Sequence, residues 1–129
     1  MTTAIVCTAL LGLLVFGLGL GVSLTRGQTG TNFGSNSDPA DRMYKMVRAH
    51  GNATEYAPMM AILMLTIAAH QPAIWMLWVF GIATAARYLH AAGMVLAPSL
   101  DEVYPLRFVG ALLTYLSGLA LVWALVRVL

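Results

Sequence analysis

Residues 38–72 read DPADRMYKMVRAHGNATEYAPMMAILMLTIAAHQP, and this stretch decides the architecture. Asp38 is placed as an N-cap, Pro39 suits the first helical position, and Asp41 falls in the first turn, where its charge complements the helix dipole. Gln71-Pro72 ends the pattern. A helix over 39–70 would be roughly 48 Å long at ~1.5 Å per residue, whereas the hydrocarbon of a bilayer is only ~30 Å thick. Such a helix must project from the membrane at its polar N-terminal end. Pro58 inside it frees the Thr54 carbonyl and predicts a kink.

Working outward, the flanking sequence is more apolar still. A first run covers about 4–24, with Gly12, Gly17, Gly19 and Gly21 suited to close helix contacts in lipid. A Gly/Ser/Thr/Asn-rich connection, Arg26 to Ser37, follows it. Two further runs cover about 73–96 and 105–128. The expected fold class is all-α, an integral membrane up-down four-helix bundle filling residues 1–129 as one domain. Composition agrees. Of the 129 residues, 60% are hydrophobic and only 9% charged, with a mean hydropathy of +0.80. A soluble domain carries roughly a quarter charged residues.

A net charge of +2 without a basic face gives no footprint for nucleic acid. The single cysteine, Cys7, excludes an internal disulfide and reads as a buried thiol. His50, His70 and His90 are not in ligand spacing, so no metal is expected; His50 points away from the polar stripe described next and reads as a helix-contact residue. The Asn52-Ala53-Thr54 sequon lies inside a helix and is discounted. Of the basic residues, Arg26, Arg42, Lys45, Arg48, Arg87 and Arg107 fall on one side of the predicted bundle and Arg127 on the other. The positive-inside rule then places both termini on the extracytoplasmic side.

On helix two, Asp41, Lys45, Arg48, Asn52 and Glu55 fall within an arc of roughly 80°, one polar stripe that continues as Met59 and Ile62 and is bordered by Tyr56. Glu55 lies roughly 22 Å in from the Gln71-Pro72 turn and Arg87, on the next helix, roughly 21 Å. Each charge alone would cost ~3 kcal/mol or more at that depth. Facing each other, or sharing a polar ligand, they offset that cost. With Arg48 and Asn52 beside them they make a pocket of mixed charge, suited to a zwitterionic, peptide-like ligand.

The segment Val47-Arg48-Ala49-His50-Gly51-Asn52-Ala53-Thr54-Glu55-Tyr56-Ala57-Pro58 resembles the signature of the MAPEG family, membrane-associated proteins in eicosanoid and glutathione metabolism. Arg87-Tyr88, with Gly93 beyond, resembles the family's third-helix motif, and the chain looks most like the small bacterial members. The resemblance implies a homotrimer in a membrane, in a bacterium the inner membrane, with glutathione held near the cytoplasmic side as co-substrate. Arg48, Asn52 and Glu55 would hold its polar ends, Tyr56 and Tyr88 would add hydroxyl contacts, and Arg87 would pair with Glu55 or the tripeptide. In eukaryotic members an arginine in the connection after helix three polarises the thiol. Here Gly93-Met94-Val95-Leu96-Ala97-Pro98 carries none, which leaves Arg107 as the candidate catalytic residue and an interfacial anchor as its other reading. The implied activity is a glutathione transferase or peroxidase acting on lipophilic electrophiles or lipid hydroperoxides; another low-molecular-weight thiol is the alternative co-substrate. Two rival classes are a non-catalytic glutathione- or lipid-binding trimer and a small proton-coupled multidrug transporter.

Overall fold

The computed structural model describes residues 1–128 and contains four helices: α1 Thr2–Thr29, α2 Arg42–Ala68, α3 Ile74–Leu96 and α4 Pro105–Val128. Side-chain pairings give their directions. Gly21 meets Met46 and Gly19 meets His50, so position falls along α2 as it rises along α1. Lys45 meets Ala97 and Asn52 meets Arg87 across α2 and α3. Gly93 meets Arg107 and Gly110 meets His90 across α3 and α4. Each consecutive pair is antiparallel, which is the up-down arrangement expected.

The helix ends follow local chemistry. α1 runs five residues beyond the expected stop, to Thr29. Ser23, Thr25 and Thr29 satisfy their hydroxyls on carbonyls one turn back, so these polar residues do not break it. Gly30 then closes the helix in the left-handed conformation, φ 66°, donating its N–H to the Arg26 carbonyl. α2 starts later than expected. Its N-cap is Asp41, whose carboxylate accepts from the Tyr44 N–H at 2.9 Å. Asp38 instead accepts from the Ala40 N–H at 2.9 Å and makes a separate turn. That turn is used: the Pro39 carbonyl accepts from the Leu100 N–H at 3.0 Å, tying the first connection to the third. Gln71, at φ 54°, turns the chain between α2 and α3. Lys45 Nζ donates to the Ala97 carbonyl at 2.8 Å, where α3 ends before Pro98.

Three helices, α1, α3 and α4, are long and apolar enough to cross a membrane. α2 is not among them, and it carries Arg42, Lys45, Arg48 and Glu55. It spans 27 residues, ~40 Å. Many large side chains point outward, among them Phe16 (80% exposed), Trp78, Leu119 and Val126. In water this would be an aggregation surface; against acyl chains it is the expected exterior.

The interior has two halves. Toward the α1 N-terminus and the α2–α3 turn, Leu11, Met60, Met64, Ile67, Met76, Phe80 and Leu121 form the apolar core, with Cys7 buried among them as a free thiol. Toward the other end small and polar residues are buried beside Leu14 and Met94: Ala53, Ala91, Thr114, His90 and Arg87. Here α3 and α4, the most extensively packed pair, approach backbone to backbone. A methyl group on Gly93 would sit 2.6 Å from Arg107 Cα, and one on Gly110 would sit 2.6 Å from His90 Cα. The two glycines allow each helix into the other's groove. On α1, Gly19 receives the His50 ring and Gly21 the Met46 side chain, while Gly12 and Gly17 face open space. His50 is thus a helix-contact residue, as its position on α2 indicated.

Candidate functional site

The polar end of the bundle is organised by Arg87. Its side chain is 1% exposed, and the guanidinium reaches across from α3 to two neighbours. It donates to Asn52 Oδ1 at 2.7 Å and the Asn52 carbonyl at 3.3 Å on α2, and to Thr114 Oγ1 at 3.3 Å on α4. Its central carbon lies 5.0 Å from the centre of the Tyr56 ring. Its Nε has no hydrogen-bond partner among the described residues. Among the described residues this buried guanidinium is held by neutral acceptors and an aromatic face, which makes it a costly group.

The direct Arg87–Glu55 pairing expected from matched depth does not form. Arg87 bonds Asn52, one turn nearer the helix start, and the Glu55 side chain is exposed. Depth along two antiparallel helices sets which turns are level, but not which face of α2 is turned toward α3. Asn52 faces inward enough to meet Arg87; Arg48 and Glu55 flank it on the outer face, both exposed. The stripe is therefore arranged as an inner amide, aimed by a buried cation, between an outer cation and an outer carboxylate.

Tyr56 and Tyr88 have different fates. Tyr56 donates its hydroxyl to the Tyr115 oxygen of α4 at 3.3 Å, with the rings edge to face at 6.0 Å. Tyr88 donates to the Leu10 carbonyl of α1 at 2.8 Å, so its hydroxyl braces α1 against α3 and is not turned into the Arg87 cluster.

Arg48 also borders a second feature, a pocket of about 290 Å³ at the end of the bundle, with Tyr44, His90, Asp101 and Arg107 around it. Arg107 donates to the Leu100 carbonyl at 2.7 Å and the Glu102 carbonyl at 2.8 Å, holding the α3–α4 connection in shape. Its own carbonyl is 2.9 Å from His90 Nδ1. This bond sits between Gly93 and Gly110, so the two glycines fix where Arg107 leaves α4. The arginine named from the sequence is thus beside Arg48, with part of its donor capacity used by the loop.

Sequence reasoning missed Thr114, Tyr115, His90, Tyr44 and Asp101. Thr114 lies about as far along α4 from the third connection as Arg87 lies from it along α3, so the two are level. No charge at that level on α4 marked it. Among the described residues no group of His, Cys, Asp and Glu is placed to hold a metal ion.

No curated protein and no solved structure matches the chain. Against family models, residues 4–127 match the MAPEG family. The match runs through all four helices and includes the Arg48–Pro58 segment and Arg87, and with nearly the whole sequence covered the chain belongs to the MAPEG family.

Proposed function

We infer that this integral membrane protein is a glutathione-dependent enzyme that conjugates the thiol to a lipophilic electrophile or reduces a lipid hydroperoxide. The family is one of glutathione-linked membrane proteins; the specific reading rests on one observation. Arg48 and Glu55 are exposed, opposite in charge, and stand on either side of an Asn52 amide oriented by the buried Arg87. A tripeptide with carboxylates, an ammonium group and amides matches that set group by group. Arg48 would hold a carboxylate, Glu55 the ammonium and Asn52 a peptide amide. Another low-molecular-weight thiol with a similar backbone would serve equally. The lipophilic partner reaches the site through lipid and the thiol from the cytoplasm.

The thiol must ionise to react, and a free thiol is only a few per cent thiolate at pH 7. Lowering its pKa by ~2 units takes about 2.7 kcal/mol of differential interaction. A charge-assisted hydrogen bond in a partly dry site approaches this. Arg107 is the proposed donor, since it borders the same pocket as Arg48. The exposed Arg48, Glu55, Met59 and Ile62 face of α2 suits coverage by a second copy, in the homotrimer that the resemblance implies. With the basic residues divided six to one, both termini face away from the cytoplasm, in a bacterium across the inner membrane. A reporter fused after residue 129 reads that orientation.

A second reading, a non-catalytic glutathione- or lipid-binding trimer, draws on the two loop carbonyls that already occupy the Arg107 guanidinium. Ultraviolet difference spectra separate the two. The enzyme reading expects a thiolate band on adding glutathione to purified protein, and turnover with a generic aromatic electrophile. Saturable binding with neither thiolate band nor turnover would replace it with the binder.

A further inference from the structure

A thiol must give up its proton to react, and most groups at the proposed site are donors. Arg48, Arg87 and Arg107 are cations, the Asn52 side-chain oxygen already accepts from Arg87 at 2.7 Å, and Glu55 is assigned to the ammonium group. The buried His90 differs. It borders the 290 Å³ pocket together with Arg48 and Arg107, and a smaller cavity of about 20 Å³ together with Asn52 and Arg87. It stands between the two parts of the site, and among the described residues around them it is the one imidazole. An ordinary carboxylate titrates roughly 4–5 units below a thiol and an imidazole roughly 2 units below, so the imidazole is the better-matched acceptor.

The ring is held with one nitrogen free. His90 Nδ1 lies 2.9 Å from the Arg107 carbonyl. A carbonyl only accepts, so Nδ1 carries the ring hydrogen and Nε2 keeps its lone pair. A methyl group on Gly110 would sit 2.8 Å from His90 Cβ, so α4 lies against the root of the side chain and confines the ring. The titratable groups around the two cavities are Arg87 from the same helix, Arg107 and Tyr115 from α4, Arg48, Tyr44 and Tyr56 from α2, and Asp101 from the third connection. Among the described residues α1 contributes none.

We propose that His90 Nε2 accepts the proton of the bound thiol. This rests on the glutathione-dependent reading above and adds a catalytic residue to it. The S–H bond breaks, its electron pair stays on sulfur, and the proton forms the second N–H of the ring. The thiolate is the negative partner that an imidazolium among three guanidiniums requires. The sulfur then attacks the electrophilic carbon, a C–S bond forms, and the leaving group departs with its bonding pair. The imidazolium returns its proton to solvent.

Asparagine reproduces the Nδ1 end of a histidine and has nothing at Nε2. His90→Asn therefore keeps a donor for the Arg107 carbonyl and removes the base. The variant should bind glutathione nearly as the wild type does. At about pH 7 its thiolate band and its kcat with benzyl chloride should fall about tenfold or more. At about pH 9, where a thiol ionises unaided, both should return to within about threefold of the wild type. A structural role would give equal losses at both pH values, and that result, or an undiminished band at pH 7, overturns the assignment. Nitrogen NMR supplies a measurement that does not depend on His90→Asn folding. In a 15N-histidine protein carrying His50→Gln and His70→Gln, the remaining ring should be protonated at Nδ1 alone, and saturating glutathione at pH 7 should protonate Nε2 as well. An Nε2 that stays bare overturns the proposal. No thiolate band in the wild type removes the glutathione-dependent enzyme and the proton step together, whereas a wild-type band that His90→Asn retains removes only the step.

Discussion

Gly93→Ala and Gly110→Ala should each destabilise the protein severely, and the double variant should yield no monodisperse folded species in detergent. A Cβ at either position meets opposing backbone, not the tip of a flexible side chain. No rotamer change relieves such a clash, so α3 and α4 must move apart. Their separation would break the contact between His90 Nδ1 and the Arg107 carbonyl at 2.9 Å and loosen the most extensive helix pair in the bundle. Overpacking of this kind costs about 1–3 kcal/mol, and more where neither side can yield. Gly81→Ala is the control, since nothing lies within 4 Å of its added Cβ. In a helix interior that change should be neutral or stabilising by about 0.5–1 kcal/mol. Thermal unfolding in detergent reads all of these. Equal stability of Gly93→Ala and Gly81→Ala would mean that the close α3–α4 approach is not present in solution.

Arg87→Met separates use from structure. The substitution keeps an unbranched chain in the space and removes a buried cation that has no carboxylate partner among the described residues. Removing the charge also removes the cost of keeping it out of water, and the half-buried Asn52 can turn to other partners. The variant is expected to fold with a thermal midpoint near that of the wild type. Its glutathione affinity should fall about tenfold, because the 2.7 Å bond that aims the Asn52 amide is lost. Calorimetric titration measures the affinity. An unfolded variant would make Arg87 a structural residue, and an undiminished affinity would show that it does not orient the site.

Much of this arrangement was legible in the sequence. Four apolar runs, the Gln71-Pro72 turn and the Ala97-Pro98 stop set the helices, and a shared stripe on α2 gathered Arg48, Asn52 and Glu55. The slips have physical causes. Asp38-Pro39-Ala40-Asp41 contains two residues able to cap, and the tie between Pro39 and Leu100 draws the first into a turn and leaves the second to start α2. Arg87 was matched to Glu55 by depth, but rotation of α2 about its axis brings Asn52 inward. The α4 contribution was hidden because Thr114 and Tyr115 are unremarkable residues in an apolar run. Only the position of α4 against Arg87 gives them a role. The same holds for Gly93 and Gly110, whose necessity appears once the opposing backbone is seen.

The most direct test of the central claim is thermal unfolding of the wild type, Arg48→Ala and Glu55→Gln with and without glutathione. Both side chains are exposed, so all three proteins should melt alike without thiol. Glutathione should raise the wild-type midpoint in step with RT ln(1 + [L]/Kd), and each variant should need about tenfold more glutathione for the same shift. Identical shifts in all three proteins, or no shift in the wild type, would contradict a glutathione site on this face of α2.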